Sequence, residues 1–140
     1  MKIIIIEDDL KIREELSKLL KKNGYETILL NEVENIPLQI ENIDANLILL
    51  DINLPFENGY EICRKIKNIS NIPIIFVTSR DSTQDEIMSI QVGGIDFISK
   101  PYDTIILLEK IKRAINLTDP KNFKEMTKKG YTLDLHLSLL

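Results

Sequence analysis

The side chains best suited to chemistry in this sequence are acids, a hydroxyl and a lysine, each next to a short apolar run. Glu7 and Asp8 follow the first run, Asp51 the third, Thr78 the fourth and Lys100 the fifth. Carboxylates at close range cannot all stay ionised without a counter-charge. Mg²⁺ supplies such a charge, and it binds one or two carboxylates together with waters and phosphate oxygens. With a lysine and a hydroxyl this set could handle a phosphoryl group, and an aspartate can itself be the nucleophile.

Each of these residues also has an ordinary explanation when it is taken alone. Asp51 could be a surface acid or a cap, Thr78 a turn residue and Lys100 a solvated loop lysine. Asp9 precedes a helical pattern and is expected to be an N-cap rather than a ligand. Cys63 lies in a helical pattern, where packing is expected rather than redox chemistry. The coincidence of polar residues at four run ends is what favours a site.

The elements that must position these residues are strands and helices in alternation. Apolar runs at 3–6, 27–30, 47–50, 74–77 and 95–98 alternate with helix-like stretches, and this order predicts a parallel sheet covered on both faces. Because ligand sites in such sheets lie beyond the carboxyl ends of the strands, we expect the polar residues to converge there. The second run ends on Asn31, a helix-cap candidate.

The helices are predicted from apolar residues that recur on one helical face. Three such faces are Ile12, Leu16, Leu19 and Leu20; Ile62, Ile66 and Ile69; and Leu108, Ile111 and Ile115. The helix around Leu16 is expected to end at the Gly24 that follows two lysines. Pro37 predicts that the helix between the second and third runs is short, kinked or late in starting.

Length and composition exclude several classes of protein. The chain has 140 residues, 44% hydrophobic and 29% charged, which is ordinary for one globular domain. Its apolar runs are far shorter than the roughly 20 residues of a membrane span, so no membrane partner is expected. The net charge of −4 makes non-specific nucleic-acid binding by the main part of the chain unfavourable. The single cysteine fits a reducing compartment, and we expect a cytoplasmic protein.

Five motifs in order resemble the receiver domain of two-component response regulators. They are residues 6–9, residues 50–55 with the following Gly59, residues 76–79, residues 93–97 and residues 100–102. The resemblance covers about residues 1–116, and we place the receiver domain at 1–117. It implies an α/β, doubly wound (βα)5 fold of the flavodoxin-like or CheY-like type, a three-layer sandwich with parallel sheet order 2-1-3-4-5.

The resemblance implies a phosphoryl-accepting site rather than an enzyme that turns over substrate. Asp51 is then the phosphoacceptor, served by a sensor histidine kinase. Glu7, Asp8 and Asp51 hold the cofactor Mg²⁺, with the backbone carbonyl of Asn53 as a further ligand. Lys100 pairs with the phosphoryl group, and the only chemistry of the domain is its own phosphorylation and dephosphorylation.

The resemblance also implies a switch. Thr78 moves to meet the phosphoryl group, and Phe97 turns inward when Thr78 has moved. The bond between Lys100 and Pro101 is expected to be cis, as in the family, although cis bonds are uncommon even before proline. In physical terms this is a two-state packing change biased by local charge.

The last residues point to a second domain. Residues 131–139 alternate between apolar and polar side chains, which predicts a strand, and His136 lies on its polar face. Residues 130–135 resemble the first strand of the winged-helix effector domain of OmpR/PhoB-type regulators. We therefore assign 118–140 to a linker and the start of a cut-off DNA-binding domain.

Such regulators bind promoter DNA and, when phosphorylated, form homodimers through helix four, strand five and helix five. Ile95 replaces an acid that many of them use in that contact, which leaves the dimer mode open.

Four other functions share parts of this sequence pattern. A phosphatase of the haloacid dehalogenase type needs a second aspartate where Asn53 stands. A flavin-binding electron carrier needs a phosphate-cradling loop where Glu7, Asp8 and Asp9 stand. A phosphorylation-independent interaction module with the same fold typically lacks the acidic pair or the lysine. A stand-alone receiver would not continue into the strand predicted at 131–139.

Overall fold

Five strands alternate with five helices in the computed structural model, which describes residues 1–30 and 35–118. The strands are β1 Lys2–Ile6, β2 Glu26–Leu29, β3 Leu47–Leu50, β4 Ile74–Thr78 and β5 Asp96–Ser99. The helices are α1 Leu10–Lys22, α2 Ile36–Glu41, α3 Gly59–Lys67, α4 Thr83–Gln91 and α5 Thr104–Thr118. Within this described part, no helix combines the length and the apolar character that crossing a membrane requires.

All strands are parallel, in the order β2-β1-β3-β4-β5, so the predicted fold and strand order are confirmed. Ile6 at the end of β1 is in register with Leu50 at the end of β3. Thr78 at the end of β4 is in register with Ser99 at the end of β5. The residues that follow these positions therefore lie side by side at one edge of the sheet.

The core has two apolar layers, one on each face of the sheet. Ile4, Ile48 and Phe76 point to the layer covered by α2, α3 and α4, and the alternate positions point to the layer covered by α1 and α5. Strands β3 and β4 are buried along their whole length. Burial on both faces explains why the strand sequences are almost continuously apolar.

Local signals fix the ends of the helices. The Asp9 carboxylate accepts hydrogen bonds from the backbone N–H of Lys11 and Ile12 at 3.0 and 3.1 Å, which confirms it as the N-cap of α1. Gly24 follows α1 with a φ of 88°, a conformation that glycine adopts without strain. Pro37 lies in the first turn of α2, which is short as expected. Asn31 and residues 119–140, including His136, lie outside the described residues.

Two sequence expectations need correction. Ile69 is not on the buried face of α3, because the helix ends at Lys67 and 41% of Ile69 is exposed. Strands β2 and β5 are each shifted by one residue from their apolar runs, since β2 is Glu26–Leu29 rather than 27–30 and β5 is Asp96–Ser99 rather than 95–98. Cys63 is buried in α3, as predicted. Burial raises the pKa of its thiol to about 11, although the nearby charges of Lys67 and Arg64 act to lower that pKa.

Candidate phosphoacceptor site

The centre of the site is a lysine between two buried carboxylates. The Lys100 ammonium lies 2.5 Å from Glu7 Oε1 and 3.2 Å from Asp51 Oδ2. The Glu7 and Asp51 side chains are only 5% and 8% exposed, and that of Lys100 is 14% exposed. The three groups come from the ends of β1, β3 and β5, so the parallel sheet brings them together across 93 residues of sequence. Two acids share one cation in a place that water barely reaches.

A third acid completes an oxygen-rich cluster. Asp8 is exposed, and one carboxylate oxygen each from Glu7, Asp8 and Asp51 lie within 4.8 Å of one another. The second oxygen of Glu7, Oε2, is buried and has no hydrogen-bond partner. A buried carboxylate oxygen without a donor is costly, and a hard divalent cation would satisfy it. The donor set therefore fits Mg²⁺, with the outer acid reaching from the solvent side.

The electrostatics of the pocket separate the two buried acids. Burial, together with the hydrogen bond to Asp51, raises the pKa of Glu7 to about 8, despite the opposing contact with Lys100. Burial also acts to raise the pKa of Asp51, but the hydrogen bond from Glu7 and the charge of Lys100 outweigh it and lower that pKa. The two acids in turn raise the pKa of Lys100 against the effect of its own burial. The charge of Lys100 and the neighbouring acid thus favour the ionised form of Asp51 over that of Glu7.

Backbone hydrogen bonds in the loop after β3 fix the position of Asp51. The backbone N–H of Asn53 donates to Asp51 Oδ1 at 3.2 Å, and the N–H of Gly59 donates to the Ile52 carbonyl at 2.9 Å. A Cβ at position 59 would stand 2.4 Å from the Asp51 carbonyl oxygen and 2.6 Å from the Ile52 Cα. Only glycine allows this close approach, which brings the start of α3 against the loop that carries Asp51.

Thr78 and Phe97, the two residues of the expected switch, are both buried. Thr78 is fully buried at the end of β4, and its hydroxyl oxygen accepts from the Arg80 backbone N–H at 3.3 Å. Phe97 is 8% exposed within the layer beneath α4. The peptide bond between Lys100 and Pro101 is cis, as predicted.

Sequence spacing does not point to three further polar residues at the site. Tyr60 at the start of α3 and Ser82 and Asp85 at the start of α4 form a hydrogen-bonded group beside Arg80. Tyr60 is next to the glycine of a motif and resembles a core aromatic, and the other two resemble ordinary helix-cap residues. The only available signal is their position just after the loops that carry Asp51 and Thr78.

A protein-family model described as the response regulator receiver domain matches residues 3–112. The chain belongs to this family. Receiver domains are signalling domains that bind Mg²⁺ at an acidic pocket, and Glu7, Asp8 and Asp51 form an acidic cluster in this one.

Curated relatives of this receiver domain include a transcriptional regulatory protein and a response regulator. It is 39% identical over 117 residues to the transcriptional regulatory protein YvcP of Bacillus subtilis, covering 84% of this chain and 49% of that protein. It is 32% identical over 112 residues to the response regulator protein GraR of Staphylococcus aureus, covering 80% of this chain and 50% of that protein. The chain thus spans about half the length of these relatives.

Solved receiver domains share its fold over most of the chain. A two-component response regulator from Clostridium difficile is 30% identical, with a TM-score of 0.77 over 82% of this chain and 95% of that one. The N-terminal domain of the nisin resistance regulator NsrR is 33% identical, with a TM-score of 0.74 over 81% of this chain and 97% of that one. These matches are consistent with an OmpR/PhoB-like regulator.

Proposed function

We propose that this receiver domain accepts a phosphoryl group on Asp51 from a sensor histidine kinase in the cytoplasm. The observation that carries the proposal is the buried pair of acids with a single lysine and an unpartnered Glu7 oxygen. Buried acids in excess of their cations destabilise a fold. A bound divalent cation, which also binds phosphate oxygens, would neutralise this excess negative charge.

Each residue of the pocket has a separate task in the transfer. The Asp51 oxygen attacks phosphorus as the bond from phosphorus to the donor's leaving atom breaks, so Asp51 must be ionised, and the Lys100 ammonium 3.2 Å away favours that form. Lys100 neutralises charge on the phosphoryl oxygens. Mg²⁺, when held by Glu7, Asp8, Asp51 and the Asn53 carbonyl, would neutralise further charge in the transition state.

Phosphorylation then acts on Thr78 and Phe97. The phosphoryl group adds about −1.5 to −2 charges and strong acceptor oxygens above Asp51. The Thr78 hydroxyl moves toward these oxygens, which releases space beside Phe97 and changes the surface formed by α4, β5 and α5. In the full-length protein, this surface forms a homodimer whose effector domain binds promoter DNA. The relative YvcP, a transcriptional regulatory protein, supports this part of the proposal.

Intact-mass spectrometry tests the proposal directly. The wild-type protein is incubated with Mg²⁺ and acetyl phosphate beside Asp51→Asn and the control Asp44→Asn, which changes an exposed acid away from the pocket. We expect one phosphoryl mass on the wild type and on the control, and none on Asp51→Asn. Phosphoryl mass retained by Asp51→Asn would contradict the assignment. No mass gain on the wild type with either acetyl phosphate or the kinase would favour a phosphorylation-independent interaction module.

A further inference from the structure

Arg13 is a buried cation on α1, beside the acids of the candidate site. It is only 8% exposed, although arginine is a residue that usually lies at the surface. Its Nη1 donates to the Glu7 backbone carbonyl oxygen at 3.4 Å, and its Nε is buried without a hydrogen-bond partner. A buried guanidinium with an unused donor costs free energy, and an apolar side chain of similar size would avoid that cost.

No ion pair accounts for this arginine in the part of the chain that the structure describes. The cations that form ion pairs there are Arg64, Lys65, Arg80, Lys100, Lys110 and Arg113. The cationic charge that acts on the Glu7 carboxyl comes from Lys100, whereas Arg13 binds the main chain of the same residue. Glu7 is therefore held at its side chain by one cation and at its carbonyl by another.

The sequence of α1 directs Arg13 toward the ends of β1 and β2. Ser17 lies four residues later on the same helical face, and its hydroxyl is 2.7 Å from the Thr27 hydroxyl of β2. Both Arg13 and Ser17 are buried. This face of α1 thus packs on the sheet, with Arg13 in the first turn of the helix, next to the residues that follow β1.

Arg13 binds the turn after β1 on both sides of Asp8. Its side chain donates to the Glu7 carbonyl, and its backbone N–H donates to the Asp9 carbonyl at 2.9 Å. Because each peptide group is planar, fixing these two carbonyls restricts where the backbone of Asp8 can lie. The Asp8 side chain is exposed, so its reach toward the other acids depends on that backbone.

We propose that Arg13 is a positioning residue for a divalent cation, because it fixes the peptide between Glu7 and Asp8 and so holds both carboxylates at the spacing that one ion needs. The inference deepens the proposed function, since it concerns the cation that assists phosphoryl transfer to Asp51. One oxygen from each of the three acids lies within 4.8 Å of the others, and the turn after β1 carries two of them. Mg²⁺ demands a near-ideal octahedron of oxygens, so a small displacement of the turn weakens its binding.

Charge and positioning predict opposite effects when Arg13 is removed. Like charges repel, so the loss of a cation beside the acidic cluster would by itself strengthen the binding of Mg²⁺. The loss of a group that orients metal ligands instead weakens metal binding, typically by about 10–100-fold. Arg13→Met keeps the length of the side chain but neither its charge nor its donors, and it therefore separates the two effects.

The test is a titration of the unphosphorylated protein with Mg²⁺, in which amide shifts in ¹H–¹⁵N NMR spectra give the dissociation constant. We expect Arg13→Met to bind Mg²⁺ about tenfold more weakly than the wild type, the lower end of the range, because the contact is with a main-chain oxygen. Arg13→Lys keeps a charged donor for the Glu7 carbonyl and should bind within about threefold of the wild type. Equal or tighter binding by Arg13→Met overturns the inference.

Two control variants exclude other causes of weaker binding. Arg113→Met makes the same substitution at an arginine that is 66% exposed and pairs with Asp96 at the amino end of β5, and it should bind Mg²⁺ as the wild type does. Ser17→Ala removes the contact with Thr27 on the same buried face of α1. It should lower the stability of the fold and leave Mg²⁺ binding unchanged. A loss of Mg²⁺ binding in Ser17→Ala as large as in Arg13→Met would overturn the inference and assign Arg13 to the packing of α1.

A second measurement needs no metal. A hydrogen bond to a carbonyl oxygen moves the ¹³C resonance of that carbonyl downfield, so the Glu7 carbonyl resonance should move upfield in Arg13→Met and stay in place in Arg113→Met. An unmoved resonance in Arg13→Met overturns the positioning role.

The two proposals can fail separately. If the wild type binds Mg²⁺ but takes up no phosphoryl group from any donor, the proposed function fails, and the Arg13 variants still support or overturn this inference. If the wild type takes up a phosphoryl group and Arg13→Met binds Mg²⁺ as tightly as the wild type, only this inference fails.

Discussion

The two ends of β5 carry the same kinds of charged side chain in opposite proportions. At the carboxyl end, Lys100 forms ion pairs with Glu7 and Asp51, two acids whose side chains are 5% and 8% exposed. At the amino end, Asp96 forms ion pairs with Lys110 at 3.3 Å and with Arg113 at 3.6 Å. The Asp96 side chain is 17% exposed, that of Lys110 34% and that of Arg113 66%. One cluster is buried with excess acid, and the other is open with excess base.

This difference separates a site that needs a ligand from one that is complete. In the buried cluster a carboxylate oxygen has no partner and Glu7 binds a proton more tightly than usual, so the pocket is electrostatically unsatisfied. In the open cluster, water solvates the positive charge that Asp96 does not neutralise. Lys110 also donates to the Phe97 carbonyl at 2.9 Å. Ion pairs contribute little to stability where water screens them and are costly to break where it does not.

Replacing a lysine in each cluster should show the largest difference. Lys100→Met is expected to lower the free energy of unfolding by about 3 kcal/mol at pH 8 without metal, because it leaves two buried acids unpaired. The same change at the open end, Lys110→Met, should cost under about 1 kcal/mol. Urea unfolding of both variants measures the two values.

Mg²⁺ sharpens this pair of variants. Mg²⁺ should restore part of the stability of Lys100→Met, because the ion supplies the missing positive charge. It should stabilise Lys110→Met no more than it stabilises the wild type. Equal losses in the two variants would mean that the burial of the pocket does not govern its energetics.

The pH dependence of stability should be the next largest effect. The pKa of Glu7 is about 8 in the fold and 4.5 as its ordinary value, so the folded state binds more protons between these values. Its contribution to stability is complete below pH 4.5 and is lost as the pH rises through 8. Metal-free stability should therefore fall across this range, by at most about 1.4 kcal/mol per pH unit for a single group.

Matched variants identify the group responsible for that slope. Thermal unfolding in EDTA from pH 5 to 8 should show the fall in wild type and in Asp96→Asn, but not in Glu7→Gln. The lowered pKa of Asp51 has the opposite sign, and its contribution is lost only as the pH falls below the ordinary aspartate value of 3.8. A wild-type slope that persists in Glu7→Gln would place the titrating group elsewhere.

The fold and the centre of the site could be predicted from the sequence because both depend on backbone periodicity. Continuous apolar runs require strands buried on both faces, and parallel strands place Glu7, Asp51 and Lys100 at one edge. These inferences need only the order of the elements and no side-chain torsions. The pattern is weaker at α4, where Ser89 is the only residue buried, and no helical face indicates that helix in advance.

The hydrogen-bonded group of Tyr60, Ser82 and Asp85 beside Arg80 could not be predicted because it depends on side-chain torsions. Arg80 has several rotatable bonds, and its choice of Asn53 and Asp85 depends on where the Tyr60 ring is packed. Nor does spacing show that Asp96 turns toward α5, while the acids at the other end of the sheet turn toward each other. Burial decides these choices, and burial is a property of the assembled fold.

The open cluster should give the smallest effect. Asp96→Asn leaves Lys110 and Arg113 without their acid, but water solvates both cations, so the expected loss of stability is under about 1 kcal/mol. That loss should shrink in 1 M salt, where screening acts over roughly 3 Å, and the loss in Lys100→Met should not. Urea unfolding at low and high salt compares the two variants directly. A salt-resistant loss in Asp96→Asn would show that the pairs at the amino end of β5 act as a buried network, and the contrast between the two ends would fail.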